Sequence, residues 1–347
     1  MSSLVIQTSF LGDMVLTTPL IAHLAQAGPV DVVATSSAAA LLANHPHVRA
    51  VVAYDKRGGD RGAVAFVRLA GRLRGARYDA AFLAQGSLRS AALTFAAGVR
   101  RRVGFDSSAG RRLYTTRVAY REDRHHAARL FALATAVTGH DAAPGELRPR
   151  LYPGADERDA VDDLIGDPGT EGTPLVALAP GSVWATKRWP YYGALAAMLA
   201  GRGLRIAVVG GSEDRALAAA IVAAVGGSSS AFDATGRLSL LASAELIGRA
   251  AALVTNDSAP QHLASAMGTP TVSVFGPTVP DFGFGPLAPR RAVVGHTALD
   301  CRPCHRHGPQ RCPLGHWRCM RELTPEDVLR ALDGVLAPPA SRFPAPS

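Results

Sequence analysis

The stretch ALVTNDSAPQHLASAMGTPTVSVFGPT, residues 252–278, decides the fold. Ala252–Thr255 is a short apolar run, and Ser258–Met267 carries apolar residues at helical spacing. Thr271–Phe275 is a second apolar run, closed by Gly276-Pro277-Thr278. Strand, helix and strand joined by short turns predict a parallel sheet with a crossover helix. Ligands of such sheets sit beyond the carboxyl ends of the strands. Thr255-Asn256-Asp257-Ser258 is such an end. Capping-type residues lead into a helix whose first N–H groups and dipole favour an anion. His262 lies about one turn into that helix. A lone histidine is more often structural, but this one stands beside an expected anion site.

The same style recurs on both sides. Leu175–Ala179 reads as a strand ending in Pro180-Gly181-Ser182, and a loop with Thr186, Lys187 and Arg188 runs to the helix Tyr191–Leu199. Glycine, hydroxyls and fixed positive charge are the mixture that phosphate recognition uses. The strand Ile206–Val209 ends in Gly210-Gly211, and Ser212 opens the helix Glu213–Val225. Glu213 reads either as an acceptor for ribose hydroxyls or as an ordinary first-turn acid. Leu240–Arg249 is a further helix.

The first half alternates likewise. Strands are expected at Leu4–Ile6, Val30–Ala34, Val48–Ala53 and Ala80–Leu83, and helices at Met14–Gln26, Val64–Leu73 and Leu88–Ala97. Arg101–Phe105 and Leu113–Thr116 are less regular. Phe10-Leu11-Gly12-Asp13 follows the first strand, where Asp13 is either a helix N-cap or a general base facing a cleft. The segment Asp141–Thr173 reads as a linker containing the helix Ala155–Ile165, and Thr324 caps Pro325–Leu336 with Asp327 at the third position. The expected division is an α/β domain over 1–165, a second over 172–323, and a terminal helix and loose Pro-rich tail over 324–347.

Length and composition agree. At about 150 residues per domain, 347 residues favour two. With 48% hydrophobic and 19% charged residues, disorder and fibrous repeats are excluded. The longest uncharged candidate for a span, Ala216–Phe232, is broken by Gly226, Gly227 and three serines. The first residues show no basic stretch of a signal peptide. A soluble, cytoplasmic protein is expected. The net charge of +9 is unevenly spread: residues 1–150 carry 20 basic and 10 acidic side chains, residues 151–347 carry 17 and 18. A basic half suits an anionic partner: nucleic acid, an anionic lipid surface or an acidic substrate. Aromatics at 6% offer little stacking platform for single strands, which disfavours nucleic acid. Only Lys56 and Lys187 of the 37 basic residues are lysine.

All four cysteines, Cys301, Cys304, Cys312 and Cys319, fall in one segment with His305, His307 and His316. Haem attachment and disulfides do not suit a reducing compartment. A structural zinc site and a loop of free cysteines remain. Walker, Gly-x-Gly-x-x-Gly, His-Glu-x-x-His and Gly-x-Ser-x-Gly motifs are absent. So is any Asp-x-Asp, the usual metal-binding pair of one class of sugar-nucleotide transferase.

Taken in order, these motifs resemble the ADP-heptose:lipopolysaccharide heptosyltransferases of glycosyltransferase family 9, the type II branch above all. The resemblance runs over nearly the whole chain. It rests on Phe10-Leu11-Gly12-Asp13, Arg102-Val103-Gly104-Phe105-Asp106, Pro180-Gly181-Ser182 with Lys187-Arg188-Trp189-Pro190, Thr255-Asn256-Asp257-Ser258 with His262, Phe275-Gly276-Pro277-Thr278, and Cys312-Pro313-Leu314-Gly315-His316. It implies a GT-B fold: two Rossmann-like domains with parallel sheets facing an interdomain cleft. It implies inverting, metal-independent transfer of L-glycero-D-manno-heptose from ADP-heptose to the lipopolysaccharide inner core, onto a lipid A–Kdo–heptose acceptor. No cofactor is then required. Asp13 would be the base and Lys187 would stabilise the leaving ADP. Ser182, Lys187, Glu213, Asp257, Ser258, Ala259 and His262 would bind the donor. The basic half becomes the acceptor half, with Arg100, Arg101, Arg102, Arg111 and Arg112 as candidate contacts, peripheral to an anionic inner membrane. Arg188 departs from the pattern of some members. Rival readings are a family 9 transferase with another sugar or acceptor, an epimerase on the same fold, and a basic, zinc-bearing nucleic-acid-binding protein.

Overall fold

The computed structural model describes residues 1–55, 58–166, 173–226 and 230–337. The expected domain start at 172 and the tail beyond 337 lie outside them. In the first half, β1 (Ser3–Gln7), β2 (Val30–Ala34), β3 (Ala50–Ala53), β4 (Ala80–Leu83), β5 (Arg101–Phe105) and β6 (Thr116–Val118) form one sheet in the order β3-β2-β1-β4-β5-β6. In the second half, β7 (Leu175–Ala179), β8 (Arg205–Val208), β9 (Ala231–Asp233), β10 (Ala252–Asn256), β11 (Thr271–Phe275) and β12 (Arg291–Gly295) give β12-β11-β10-β7-β8-β9. Every paired strand is parallel. Counted from each domain's first strand, both sheets have the same Rossmann order. The chain reverses direction across the sheet between β1 and β4, and again between β7 and β10. Such reversal points open the crevice in which ligands bind.

Helices α1 (Leu11–Ala25), α2 (Ser36–Ala40), α3 (Ala63–Gly75), α4 (Leu88–Ala96) and α5 (His126–Thr138) belong to the first sheet. Helices α6 (Ala155–Ile165), α7 (Tyr192–Ala200), α8 (Arg215–Val225), α9 (Leu240–Arg249), α10 (Ala259–Met267), α11 (Arg318–Arg321) and α12 (Pro325–Leu336) follow. Because helices cover both faces, β1, β2, β4, β7, β10 and β11 are buried at every position. Most of their sequences accordingly run apolar, although β2 carries the paired Asp31 and β11 alternates as Thr-Val-Ser-Val-Phe.

Four boundaries differ from expectation. First, α1 starts at Leu11, a turn earlier than Met14. Second, Arg101–Phe105 is β5, Leu113–Thr116 runs from a 3-10 turn into the first residue of the edge strand β6, and α2, α5, β9 and β12 were not read, the last because its exposed edge carries Arg291. Third, α6 packs in the second domain, where Val161 is buried with Leu246 and Ile247, Arg249 pairs with Asp162, and Arg205 donates to the Ile165 carbonyl at 3.0 Å. Fourth, α12 is integral to the second core, with Val328, Leu329 and Leu332 buried beside Trp189 and Tyr192. The capping box at Thr324 and Asp327 is as expected.

The domains touch below the cleft, where α1 packs on α10. Val15 and Leu41 share a buried cluster with Leu263, Ala264 and Ala266. A second tether joins α5 to the segment after β11. His126 N–H donates to the Gly283 carbonyl at 2.7 Å, and the buried Arg129 guanidinium donates to the Phe282 carbonyl at 3.0 Å.

Candidate active site

The carboxyl ends of both sheets open onto one cavity of about 680 Å³. The loop after β1 contributes Ser9 to Asp13, the loop after β4 Gln85 and Gly86, and the turn after β5 Ser107 and Ser108. Tyr120, Glu122 and His126 complete the first wall. Ser182, Trp184 and Lys187 after β7, and Asp257, Ser258, Ala259 and His262 at the start of α10, form the opposite wall. Phe282, Phe284, Arg306 and His307 close one side.

Asp13 is the third residue of α1, and the N-cap is Phe10, which makes no side-chain cap bond. Asp13 is therefore not the N-cap itself; its carboxylate lines the cavity while also taking a backbone hydrogen bond from Phe10. Oδ2 accepts a hydrogen bond from Ser9 Oγ at 2.6 Å. Burial raises the carboxyl pKa, against the lowering pull of the Ser9 hydroxyl and nearby His262. A raised carboxylate pKa suits a general base. Burial also holds the neighbouring imidazoles neutral: it pushes His262 down to about 4 and His126 to about 3. Gly12 explains how the walls come so close. A Cβ there would stand 2.7 Å from His262 Cδ2.

The opposite wall is tied together. Lys187 Nζ lies 2.6 Å from Asp257 Oδ2, with both side chains about nine-tenths buried. Thr278 Oγ1 donates to the same oxygen at 2.7 Å, and Gln261 Nε2 donates to Oδ1 at 3.1 Å. The Asp257 amide donates to the Val274 carbonyl. Asp257 therefore holds Lys187 in place, with its own carboxylate oxygens engaged by protein donors. Ser258 stands at the N-cap position of α10 without a side-chain cap bond, Pro260 is in the first turn, and the helix start and Lys187 both line the cavity. Asn256 locks the neighbouring loop. Its Nδ2 donates to the Pro180 carbonyl at 2.8 Å, and its Oδ1 accepts from Trp189 N–H at 3.1 Å.

Ser182 lines the cavity and its Oγ accepts from Trp184 N–H at 3.3 Å. Glu213 is exposed in the short 3-10 turn after β8 and does not line the cavity. The acid that packs there is Asp214, which meets Gly181 and Gly210 so closely that a Cβ on either would collide with it. Arg100 and Arg101 are exposed at the amino end of β5, the edge away from the cleft. Arg102 spends its guanidinium on the Leu113 and Val99 carbonyls. Arg111 and Arg112 lie in an exposed turn. None of the five lines the cavity.

Among the described residues no three His, Cys, Asp or Glu side chains are arranged to hold a metal ion. Cys301, Cys304, Cys312 and Cys319 are free thiols, and their expected grouping as zinc ligands is corrected. Their segment instead serves the cleft. Gly308, at φ +88°, packs on the Lys187 methylenes, and a Cβ there would stand 3.1 Å from Lys187 Cε. Gln310 donates to the Val183 carbonyl at 2.9 Å. Arg306 pairs with Glu122 across the cleft at 3.3 Å. Arg306 and His126 were missed in the sequence, where nothing in their spacing connects them to the site; Thr278 and Gln261 stand in stretches read there but were given no role.

A buried carboxylate stands on one wall, and a fixed lysine and a helix start stand on the other. Set on two sheets of one topology, this is the two-domain arrangement of a GT-B protein, with the cavity between a carboxylate and a positive field. The chain belongs to glycosyltransferase family 9 (heptosyltransferase), which it matches over residues 66–316. It is 28% identical to lipopolysaccharide heptosyltransferase 2 of Salmonella typhimurium over 97% of this chain and 99% of the relative. It is 29% identical to lipopolysaccharide heptosyltransferase 1 of Pseudomonas aeruginosa over 98% and 99%. The structure of E. coli ADP-heptose lipopolysaccharide heptosyltransferase II superposes with a TM-score of 0.78 at 26% identity, covering 97% of this chain and 98% of that one.

Proposed function

We propose that this chain transfers L-glycero-D-manno-heptose from ADP-heptose to the lipopolysaccharide inner core, adding the second heptose to the first. The carrying observation is the opposition of Asp13 to the Lys187–Asp257 pair and the α10 start across one cavity. The acceptor hydroxyl attacks the anomeric carbon while its proton passes to Asp13. The bond from that carbon to the ADP oxygen breaks, and its electron pair leaves with ADP. Attack from the face opposite ADP inverts the anomeric centre. The sugar passes through an oxocarbenium-like state. Charge developing on the β-phosphate meets Lys187, Ser182 and the amides at Ser258 and Ala259. His262 borders the same point, and Glu213 is the ribose candidate, reached by movement of its exposed turn. A positive field built from protein groups supports transfer that proceeds with a chelator present.

Basic charge in the first half is exposed at Arg100, Arg101, Arg111 and Arg112, outside the cleft. This supports peripheral contact with the anionic cytoplasmic face of the inner membrane, where a lipid-linked acceptor is embedded. Among the described residues no helix is long and apolar enough to cross a membrane.

The test is ADP release from ADP-heptose, with chelator, using lipid A–Kdo acceptors with and without a first heptose. Release dependent on the heptose-bearing acceptor supports the proposal. Release with the heptose-free acceptor alone assigns the first transfer instead. Identity of 28% to a type 2 enzyme and 29% to a type 1 enzyme keeps that second outcome in play. No release with either overturns both.

A further inference from the structure

The two oxygens of Asp13 meet different neighbours. Oδ2 is held by Ser9, whereas Oδ1 faces His126 Nε2 at 3.6 Å, just beyond hydrogen-bond length. His126 is the first residue of α5 and is buried on the cavity wall. The other domain fixes it twice: Gly283 accepts its backbone N–H at 2.7 Å, and the Phe284 ring centroid lies 4.8 Å from its own. Its remaining nitrogen, Nδ1, is buried without a hydrogen-bond partner among the described residues. A proton on Nδ1 would be an orphaned donor, whereas a proton on Nε2 points at a carboxylate. The Nε2–H tautomer is therefore preferred.

Resting on the assignment of Asp13 as base, we propose that His126 is its positioning residue. The Nε2–H closes onto Oδ1 when the cleft fills, and with Ser9 it fixes the carboxylate plane so that a free lone pair meets the acceptor hydroxyl. The charge around the pair agrees. His126 stays neutral under burial and the nearby charges of Arg129, His125 and Arg306. It therefore donates to the carboxylate without neutralising it as an ion pair would. From the other elements, His262 and His307 face Asp13, and burial holds both below the ordinary histidine value. Lys187 beside His307 is paired with Asp257.

The experiment follows the Asp13 carboxyl by carbon NMR titration and kcat against pH in wild type, His126→Phe and His126→Gln. Phenylalanine keeps the backbone bond to Gly283 and the contact with Phe284 but removes the donor. The expected result is an Asp13 titration moved to higher pH in His126→Phe. Its kcat falls by about 10-fold, the worth of one hydrogen bond to a charged group. The KM for ADP-heptose is unchanged, and the acid limb of kcat moves to higher pH. Glutamine, which retains an N–H donor, brings both shifts back. Identical Asp13 titrations in wild type and His126→Phe overturn the proposal. So does a loss of kcat with an unmoved acid limb. If wild type releases no ADP from ADP-heptose, the transferase reading fails, yet the NMR titration still decides whether His126 holds Asp13.

Discussion

Asp13 and Asp257 are the same residue type at opposite sides of equivalent reversal points, one after the first strand of its domain and the other after the fourth. Each follows a strand beside the reversal point of its sheet and stands in the first turn of a helix or next to it. Their surroundings divide them. Asp257 receives a lysine, a threonine and a glutamine within 3.1 Å. Asp13 receives the Ser9 hydroxyl and the Phe10 backbone amide, no cation is paired with it among the described residues, and burial still raises its pKa. One carboxylate is spent on holding Lys187 and the other is kept basic. A repeated fold thus yields two chemistries through the neighbours supplied to an identical side chain.

Removing the proposed base gives the largest expected effect. Asp13→Asn should lower turnover by roughly 10²–10⁴-fold, with ADP affinity by calorimetry nearly intact. A near wild-type rate breaks the contrast at its functional end. On the other wall, Asp257→Ala leaves Lys187 buried and unpaired, and should cost about 3–5 kcal/mol of stability in urea unfolding. The double change Lys187→Met with Asp257→Leu should recover much of that while losing ADP affinity. Equal instability of both variants would mean that the pair is not what secures this wall.

Gly12→Ala drives a methyl into the His262 ring and should destabilise by about 1–3 kcal/mol. It should also separate the walls, seen as a larger radius by small-angle scattering. An unchanged radius and stability would show that the walls are not pressed together there.

The pH dependence has a definite sign. The folded pKa of Asp13 lies above its unfolded value of 3.8, so ionisation opposes folding. Asp13→Asn should be more stable than wild type at neutral pH. The difference should close as pH falls through the raised folded value and vanish below 3.8. Denaturant unfolding across that range checks it, and a constant difference would mean that burial does not set this carboxylate. Smallest of all, replacing the exposed Cys304 by serine should change stability by no more than about 0.5 kcal/mol and leave the metal content of untagged protein unchanged. A loss of stoichiometric zinc would restore the ligand reading of the four cysteines.

Much of the fold was legible because a covered parallel strand must be apolar on both faces. The runs at β1, β4, β7, β10 and β11 announce themselves for that reason, as do Thr324 and Asp327, whose capping is local. Parts of the site were legible for a related reason: Asp13, Ser182, Lys187 and Ser258 sit just beyond the ends of such strands. Domain membership was not legible for α6, because a linker helix is assigned by what it packs on. The placement of the arginine runs was not legible either, because charge can be counted along a chain, whereas the edge of the sheet on which it falls cannot.

The sequence by itself determined the alternation of strands and helices, the two-domain plan and the strand-end loops where ligands bind. These follow from local propensity, capping and the period of burial. Only the tertiary structure decided that Asp257 grips Lys187, that His126 faces Asp13, that Gly12 admits His262, and that the cysteine segment backs the lysine. Each of these contacts joins residues from separate elements, and except for the Asp13–His126 approach each crosses from one loop or domain to another. Chain folding sets such distances, and no spacing along the sequence encodes them.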